Sequence, residues 1–197
     1  MIVGITGGIG TGKSTVARAF EQRGYRRLDS DRIVHETVLT DAAVLDALRA
    51  RYGEKVVTQS VDGDRRVNRS ALAERVFGDD AERVWLEELT HPRVFATWRA
   101  ALASAPQARW VLDVPLLHEK GLENWFDFTV CVACAPAQQL ARLEQRGLPR
   151  VLAGQRISKQ LPLARKIELS DFVVWNEGSP EFLEAQVDRL VRVLEAA

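Results

Sequence analysis

The stretch Gly7-Gly8-Ile9-Gly10-Thr11-Gly12-Lys13-Ser14 decides how this chain is read. It has the spacing Gly-x-x-x-x-Gly-Lys-Ser/Thr, and each residue type in it has a physical task. The glycines let the backbone bend and bring main-chain amides close to an anion with no Cβ in the way. Successive N–H groups and the positive end of a following helix then face phosphate oxygens. Lys13 is placed to bridge β- and γ-phosphates, and the Ser14 hydroxyl to ligate Mg²⁺. The flanks agree with this: Met1-Ile2-Val3-Gly4-Ile5 reads as a strand, and Thr15-Val16-Ala17-Arg18-Ala19-Phe20 begins a helix. The loop predicts nucleoside triphosphate binding at Gly8, Gly10, Thr11, Gly12, Lys13, Ser14 and Thr15. It is silent about the acceptor.

Moving outward, further apolar runs read as buried parallel strands: Arg26 to Asp29, Trp110 to Val114, Phe128 to Ala133 and Phe172 to Trp175, beside Ile2 to Thr6. They are continuous rather than alternating, as expected when helices cover both faces of a sheet. The last helix is the clearest, with Ser179 as N-cap, Pro180 at its first position, and Phe182, Leu183, Val187, Leu190, Val191 and Leu194 on one face. Asp79 and Glu82 have capping-box spacing, and Pro92 is expected to kink or restart the helix they open. The pattern is α/β: a P-loop NTPase with a parallel five-stranded sheet flanked by helices. A parallel crossover needs about a dozen residues, yet residues 30–109 separate the second and third strands. That excess predicts an inserted, mostly helical region with a turn at Asp62-Gly63. Residues 142–168 hold Arg142, Arg146, Arg150, Arg156, Lys159, Arg165 and Lys166 against Glu144 and Glu168. This local excess predicts a lid that closes over a polyanion, with a solvated basic helix pair as the alternative. The core is then 1–29, 110–141 and 169–197.

Several other side chains stand where ligands bind in open α/β folds, at the carboxyl ends of strands. Asp29 and Asp31 close the second strand and open the next helix. A carboxylate there accepts the proton of an attacking hydroxyl while its neighbour orients substrate or metal-bound water; capping of the helix is the alternative for one of them. Asp113 ends the third strand, in a position suited either to metal support or to structure. Pro115 and Leu116 follow as an acceptor wall. His91, beside Pro92, is a candidate substrate contact, whereas His35 and His118 read as surface or packing residues.

Composition excludes several classes. The 27 basic and 27 acidic residues cancel, which argues against bulk nucleic acid or an anionic membrane as the main partner. No apolar run approaches the ~20 residues that span a bilayer, and no secretory signal precedes the first strand, so a cytoplasmic chain is expected. Cys131 and Cys134 stand two apart in a strand-like run with no second ligand pair, and read as reduced core thiols rather than half of a zinc site. An Asn-Lys-x-Asp base-reading motif is absent, which disfavours a GTPase switch. Oligomeric state is left open.

The ordered set of motifs closely resembles the dephospho-CoA kinase family. It comprises Gly4 to Ala17, Asp29-Ser30-Asp31-Arg32-Ile33, His91-Pro92, Pro115-Leu116-Leu117-His118-Glu119, Gln139 to Leu143 with Arg146, Gln160, and Ser170 to Asn176. The resemblance implies a nucleoside-monophosphate-kinase-like fold with a helical CoA-side insertion and a lid. It implies that ATP, with Mg²⁺, phosphorylates the ribose 3′-hydroxyl of dephospho-CoA. It assigns Asp31 as general base, Arg142 and Arg146 to the ATP phosphates, and Asn176 to the neighbourhood of adenine. Ser30 stands where the family usually has Ala, and His118 where it often has an apolar residue. Another small P-loop kinase, acting on a nucleotide or shikimate, is the nearest rival.

Overall fold

The computed structural model describes residues 1–60, 63–77 and 79–196. Strand β1 (Ile2–Gly7) leads into helix α1 (Lys13–Glu21) and strand β2 (Arg26–Asp29). Later come β5 (Trp110–Asp113), β6 (Phe128–Ala133), α6 (Pro136–Gln145), α7 (Arg150–Ser158), α8 (Leu163–Leu169), β7 (Phe172–Trp175) and α9 (Pro180–Glu195). Between β2 and β5 lie α2 (Ser30–Glu36), α3 (Ala42–Tyr52), β3 (Val57–Gln59), β4 (Arg65–Val67), α4 (Arg69–Phe77) and α5 (Asp80–Ser104). Contacts divide the chain into two compact units, Met1–Asp29 with Gln107–Ala197, and Ser30–Pro106.

In the first unit the strands form a five-stranded sheet in the order β2-β5-β1-β6-β7, with every pairing parallel. The central strand, β1, feeds α1 and then β2 on one side, while β6 feeds helices that return to β7 on the other. The carboxyl ends of β1 and β6 therefore flank the crevice where open α/β sheets hold ligands. One sheet face supplies Val3, Ile5, Val130, Val132 and Val174 to a core shared with Phe20 of α1 and with Leu183, Val187, Leu190, Val191 and Leu194 of α9. Each such fully buried aliphatic contributes about 1.5–3 kcal/mol. Ser179 caps α9, its hydroxyl accepting from the Phe182 amide at 3.3 Å.

In the second unit β3 and β4 pair as an antiparallel hairpin; Gly63, at φ 86°, lies in the hairpin loop, while Asp62 of the expected turn lies outside the described residues. The unit departs from its sequence reading in two respects. Helix α5 runs on through Pro92 from Asp80 to Ser104. Near the proline, side chains bond the preceding turn: Arg93 Nη1 donates to the Leu89 carbonyl and Thr90 Oγ1 to that of Leu86. Asp79 caps α5 through the Ala81 and Glu82 amides. The Glu82 carboxylate, expected to reach back to the cap, instead accepts from Arg51 and from the Tyr52 hydroxyl. That ion pair keeps Glu82 below its ordinary range, and burial with the neighbouring carboxylate pushes Tyr52 up to about 12.

Candidate nucleotide site

The phosphate loop leaves β1 at Gly7 and enters α1 through Gly12, whose φ of 95° is left-handed and natural only for glycine. No side chain caps α1 and no acidic residue lies in its first turn. The positive end of the helix therefore keeps its pull on an anion, although the Thr15 N–H already donates to the Gly12 carbonyl at 2.9 Å. Thr11 is fully buried and fastens the loop internally, its hydroxyl donating to the Gly8 carbonyl at 2.9 Å. Lys13 Nζ folds over the loop and donates to the carbonyls of Gly7 and Gly8 at 3.1 and 3.0 Å. Thr15 is exposed one residue beyond Ser14.

At the sheet edge, Ser14 Oγ donates to Asp113 Oδ2 at 3.0 Å, and Asp113 is buried. In the β2–β5 ladder Asp113 stands opposite Asp29. Asp29 in turn forms an ion pair with Arg27, two residues earlier on the same strand face, at 2.7 Å. The hydroxyl and carboxylate of Ser14 and Asp113 are hard oxygen donors, the chemistry that suits Mg²⁺ held between protein and phosphates. Among the described residues no cluster of three or more His, Cys, Asp or Glu side chains forms a dedicated metal cage.

A second layer holds the loop from outside. Arg142 of α6 donates to the Thr11 carbonyl at 3.2 Å and to the Asn176 carbonyl at 2.8 Å. The Asn176 amide donates to the same Thr11 carbonyl at 2.8 Å. Gln139 Nε2 donates to the Ile9 carbonyl at 2.6 Å, and the Ile9 amide donates to Gln160 Oε1 at 2.8 Å. Arg142 and Asn176, expected beside the nucleotide, are thus engaged with the backbone of the loop itself. Arg146, one helical turn beyond Arg142, is exposed.

The seven cations of the basic segment divide sharply. Lys166 is fully buried, bonding the Pro115 carbonyl at 2.7 Å and Glu119 at 2.8 Å. Arg150 faces Glu144 at 3.6 Å, and Arg165 pairs with Glu168. Lys166 therefore does not belong to a solvent-facing lid. The acceptor wall of the sequence reading, Pro115 and Leu116, follows β5 and is half-buried. His118 has both ring nitrogens engaged, 2.8 Å from Glu123 Oε1 and 2.9 Å from Ser170 Oγ, which makes it a buried packing residue. Cys131 and Cys134 are buried thiols, and burial pushes Cys131 up to about 11.

Two candidates lie in the second unit. Asp31 occupies the first turn of α2 and is exposed; its distance from Asp29 in sequence is two residues. His91 sits within α5 with its ring 5.8 Å from that of Phe95. Sequence reasoning gave Gln139 and Gln160 no role. Their signal was weak, because a glutamine amide looks like any solvated polar group until its partner is known.

A family model for dephospho-CoA kinase matches residues 1–181. A dephospho-CoA kinase of Thermosynechococcus vestitus is 42% identical over 194 residues, covering 98% of this chain and 94% of the relative. A crystal structure from Thermus thermophilus superposes with a TM-score of 0.82 at 33% identity, covering 98% of this chain and 97% of that one. The dephospho-CoA kinase structure from Campylobacter jejuni shares the fold at a TM-score of 0.64 and 20% identity, with 97% and 95% coverage.

Proposed function

This chain belongs to the dephospho-CoA kinase family, and from that membership we propose how its residues carry out the reaction. The enzyme transfers the γ-phosphoryl group of ATP to the ribose 3′-hydroxyl of dephospho-CoA, giving CoA and ADP, the final step of coenzyme A biosynthesis. The observation that carries the site assignment is the open N-terminus of α1 behind a glycine loop, with Lys13 and Ser14 in its first turn. Main-chain amides of the loop and of the start of α1 take up the β-phosphate. Lys13 exchanges its two loop carbonyls for phosphate oxygens, trading neutral acceptors for charged ones.

Ser14 and Asp113 are the residues suited to hold Mg²⁺. The ion supplies charge neutralisation along the triphosphate when bound. Asp31 is the general base: it accepts the 3′-hydroxyl proton as that oxygen bonds the γ-phosphorus and the bond to the β–γ bridging oxygen breaks. Its exposed position in the first turn of α2, just beyond the end of β2, supports this role. Asp29, fixed by Arg27, and the Pro115–Leu116 wall orient the acceptor, and His91 lines the insertion that receives it. Arg146 presents positive charge to the phosphates, while Arg142 and Asn176 act from beneath the loop and set the nucleotide's edge. The part of the basic segment before Gln160, with Arg146, Arg150, Arg156 and Lys159, closes over the triphosphate and excludes water that would otherwise hydrolyse it.

A cytoplasmic setting is part of the proposal; no helix among the described residues is long and apolar enough to cross a membrane. The test is direct conversion: purified protein with Mg²⁺-ATP and dephospho-CoA must yield CoA and ADP in equal amounts. Comparable phosphorylation of nucleoside monophosphates or shikimate in place of dephospho-CoA would overturn the acceptor assignment.

A further inference from the structure

Ile9 sits in the middle of the phosphate loop, and side-chain amides hold both polar atoms of its backbone. Gln139 Nε2 donates to the carbonyl at 2.6 Å, and the amide donates to Gln160 Oε1 at 2.8 Å. Gln139 precedes the basic segment and Gln160 lies within it. Gln139 is buried in α6, three residues before the segment begins. Gln160 lies in the short link between α7 and α8. The next residue is pinned as well, since the Leu161 amide donates to Glu119 Oε1 at 3.0 Å. That carboxylate is held by fully buried Lys166, which also binds the Pro115 carbonyl.

The bland reading is that these amides merely satisfy buried backbone groups. The arrangement goes further than that. A loop with glycine at 7, 8, 10 and 12 has more conformational freedom than any other kind of backbone. Its amides bind phosphate well only if that freedom is removed before the ligand arrives. Two side chains holding the carbonyl and the N–H of one residue remove it in the middle of the loop. The buried Lys166–Glu119 pair fixes one of those arms. We infer that Gln139 and Gln160 are positioning residues that preset the phosphate loop, and that Gln160-Leu161 is a fixed strap within the basic segment. This rests on the reading that the loop binds ATP.

The experiment uses Gln160→Met, Gln139→Met and the double variant; methionine keeps the length and removes the amide. Calorimetric binding of a non-hydrolysable ATP analogue is measured alongside steady-state kinetics and thermal unfolding. Each single variant is expected to bind the analogue roughly 3- to 10-fold more weakly, the loss of one hydrogen bond. KM for ATP should rise in step while kcat at saturation stays within about twofold, as for loss of uniform binding. The double variant should lose clearly less than the product of the single losses, because one residue is already loose. Wild-type analogue affinity in Gln160→Met overturns the proposal, and so does a lowered unfolding temperature with unchanged KM. Multiplicative losses in the double variant do the same, and if Gln139→Met does not fold, the Gln160→Met split decides alone. Failure of the wild-type protein to bind the analogue would instead refute the nucleotide site itself.

Discussion

Gly12→Ala tests the close packing of the phosphate loop. A Cβ at this position would lie 2.0 Å from Asn176 Nδ2, on a backbone held at φ 95°. The left-handed conformation costs a non-glycine residue about 1–2 kcal/mol. The Asn176 amide must also move and give up its bond to the Thr11 carbonyl, a further ~1 kcal/mol. The sum, about 2–3 kcal/mol, corresponds to a fall in unfolding temperature of about 4–12 °C for a chain of this size. Because Gly12 is the N-cap of α1, the amides that follow it turn away from the phosphate, and affinity for an ATP analogue should drop at least about tenfold. Differential scanning calorimetry with and without the analogue reads both quantities. Gly154→Ala is the control: it lies in exposed α7 with nothing within 4 Å of an added Cβ, and alanine there should stabilise by about 0.5–1 kcal/mol. A Gly12→Ala protein that melts within about 2 °C of wild type and binds the analogue normally would refute the argument.

Three further outcomes are expected. Asp31→Asn should lower kcat by roughly 10²–10⁴-fold with little change in ATP affinity, as for loss of a general base; near-normal turnover with dephospho-CoA would remove that role. Lys166→Met strands the Glu119 carboxylate beside the Pro115 turn and should cost about 3–5 kcal/mol in chemical denaturation. Adding Glu119→Gln should recover much of that loss, and full additivity of the two would show that they do not act as a pair. Cys131, raised by burial from 9.0 to about 11, stays protonated in the folded chain after the unfolded chain has begun to ionise. Its contribution is therefore complete below pH 9 and declines as pH rises towards 11. Unfolding titrations of wild type and Cys131→Ala should diverge in slope across that window, and parallel curves would contradict the burial argument.

Much of the fold was legible because its signals are local. The glycine spacing needs only eight residues, and buried strands such as Phe128–Ala133 announce themselves as unbroken apolar runs. Misreadings arose where a local rule was overruled. Pro92 does not restart the helix, since α5 runs unbroken from Asp80 to Ser104. Glu82 has the spacing of a capping box, but the Arg51–Tyr52 pair, 30 residues away, claims its carboxylate.

The same division holds for function. By itself the sequence determined the chemistry at the front of the loop: which residue carries the ammonium group, which the hydroxyl, and that a helix begins behind them. Those features depend on covalent neighbours and on backbone freedom, which a linear reading captures. Only the tertiary structure decided what Arg142, Gln160 and Lys166 of segment 142–168 do. Lys166 vanished into a buried ion pair, Arg142 turned onto the carbonyls of Thr11 and Asn176, and Gln160 reached Ile9 across 151 positions. A charged or amide side chain has the same solution chemistry wherever it stands. Whether it serves ligand, loop or solvent is set by the partners that folding brings within about 3 Å.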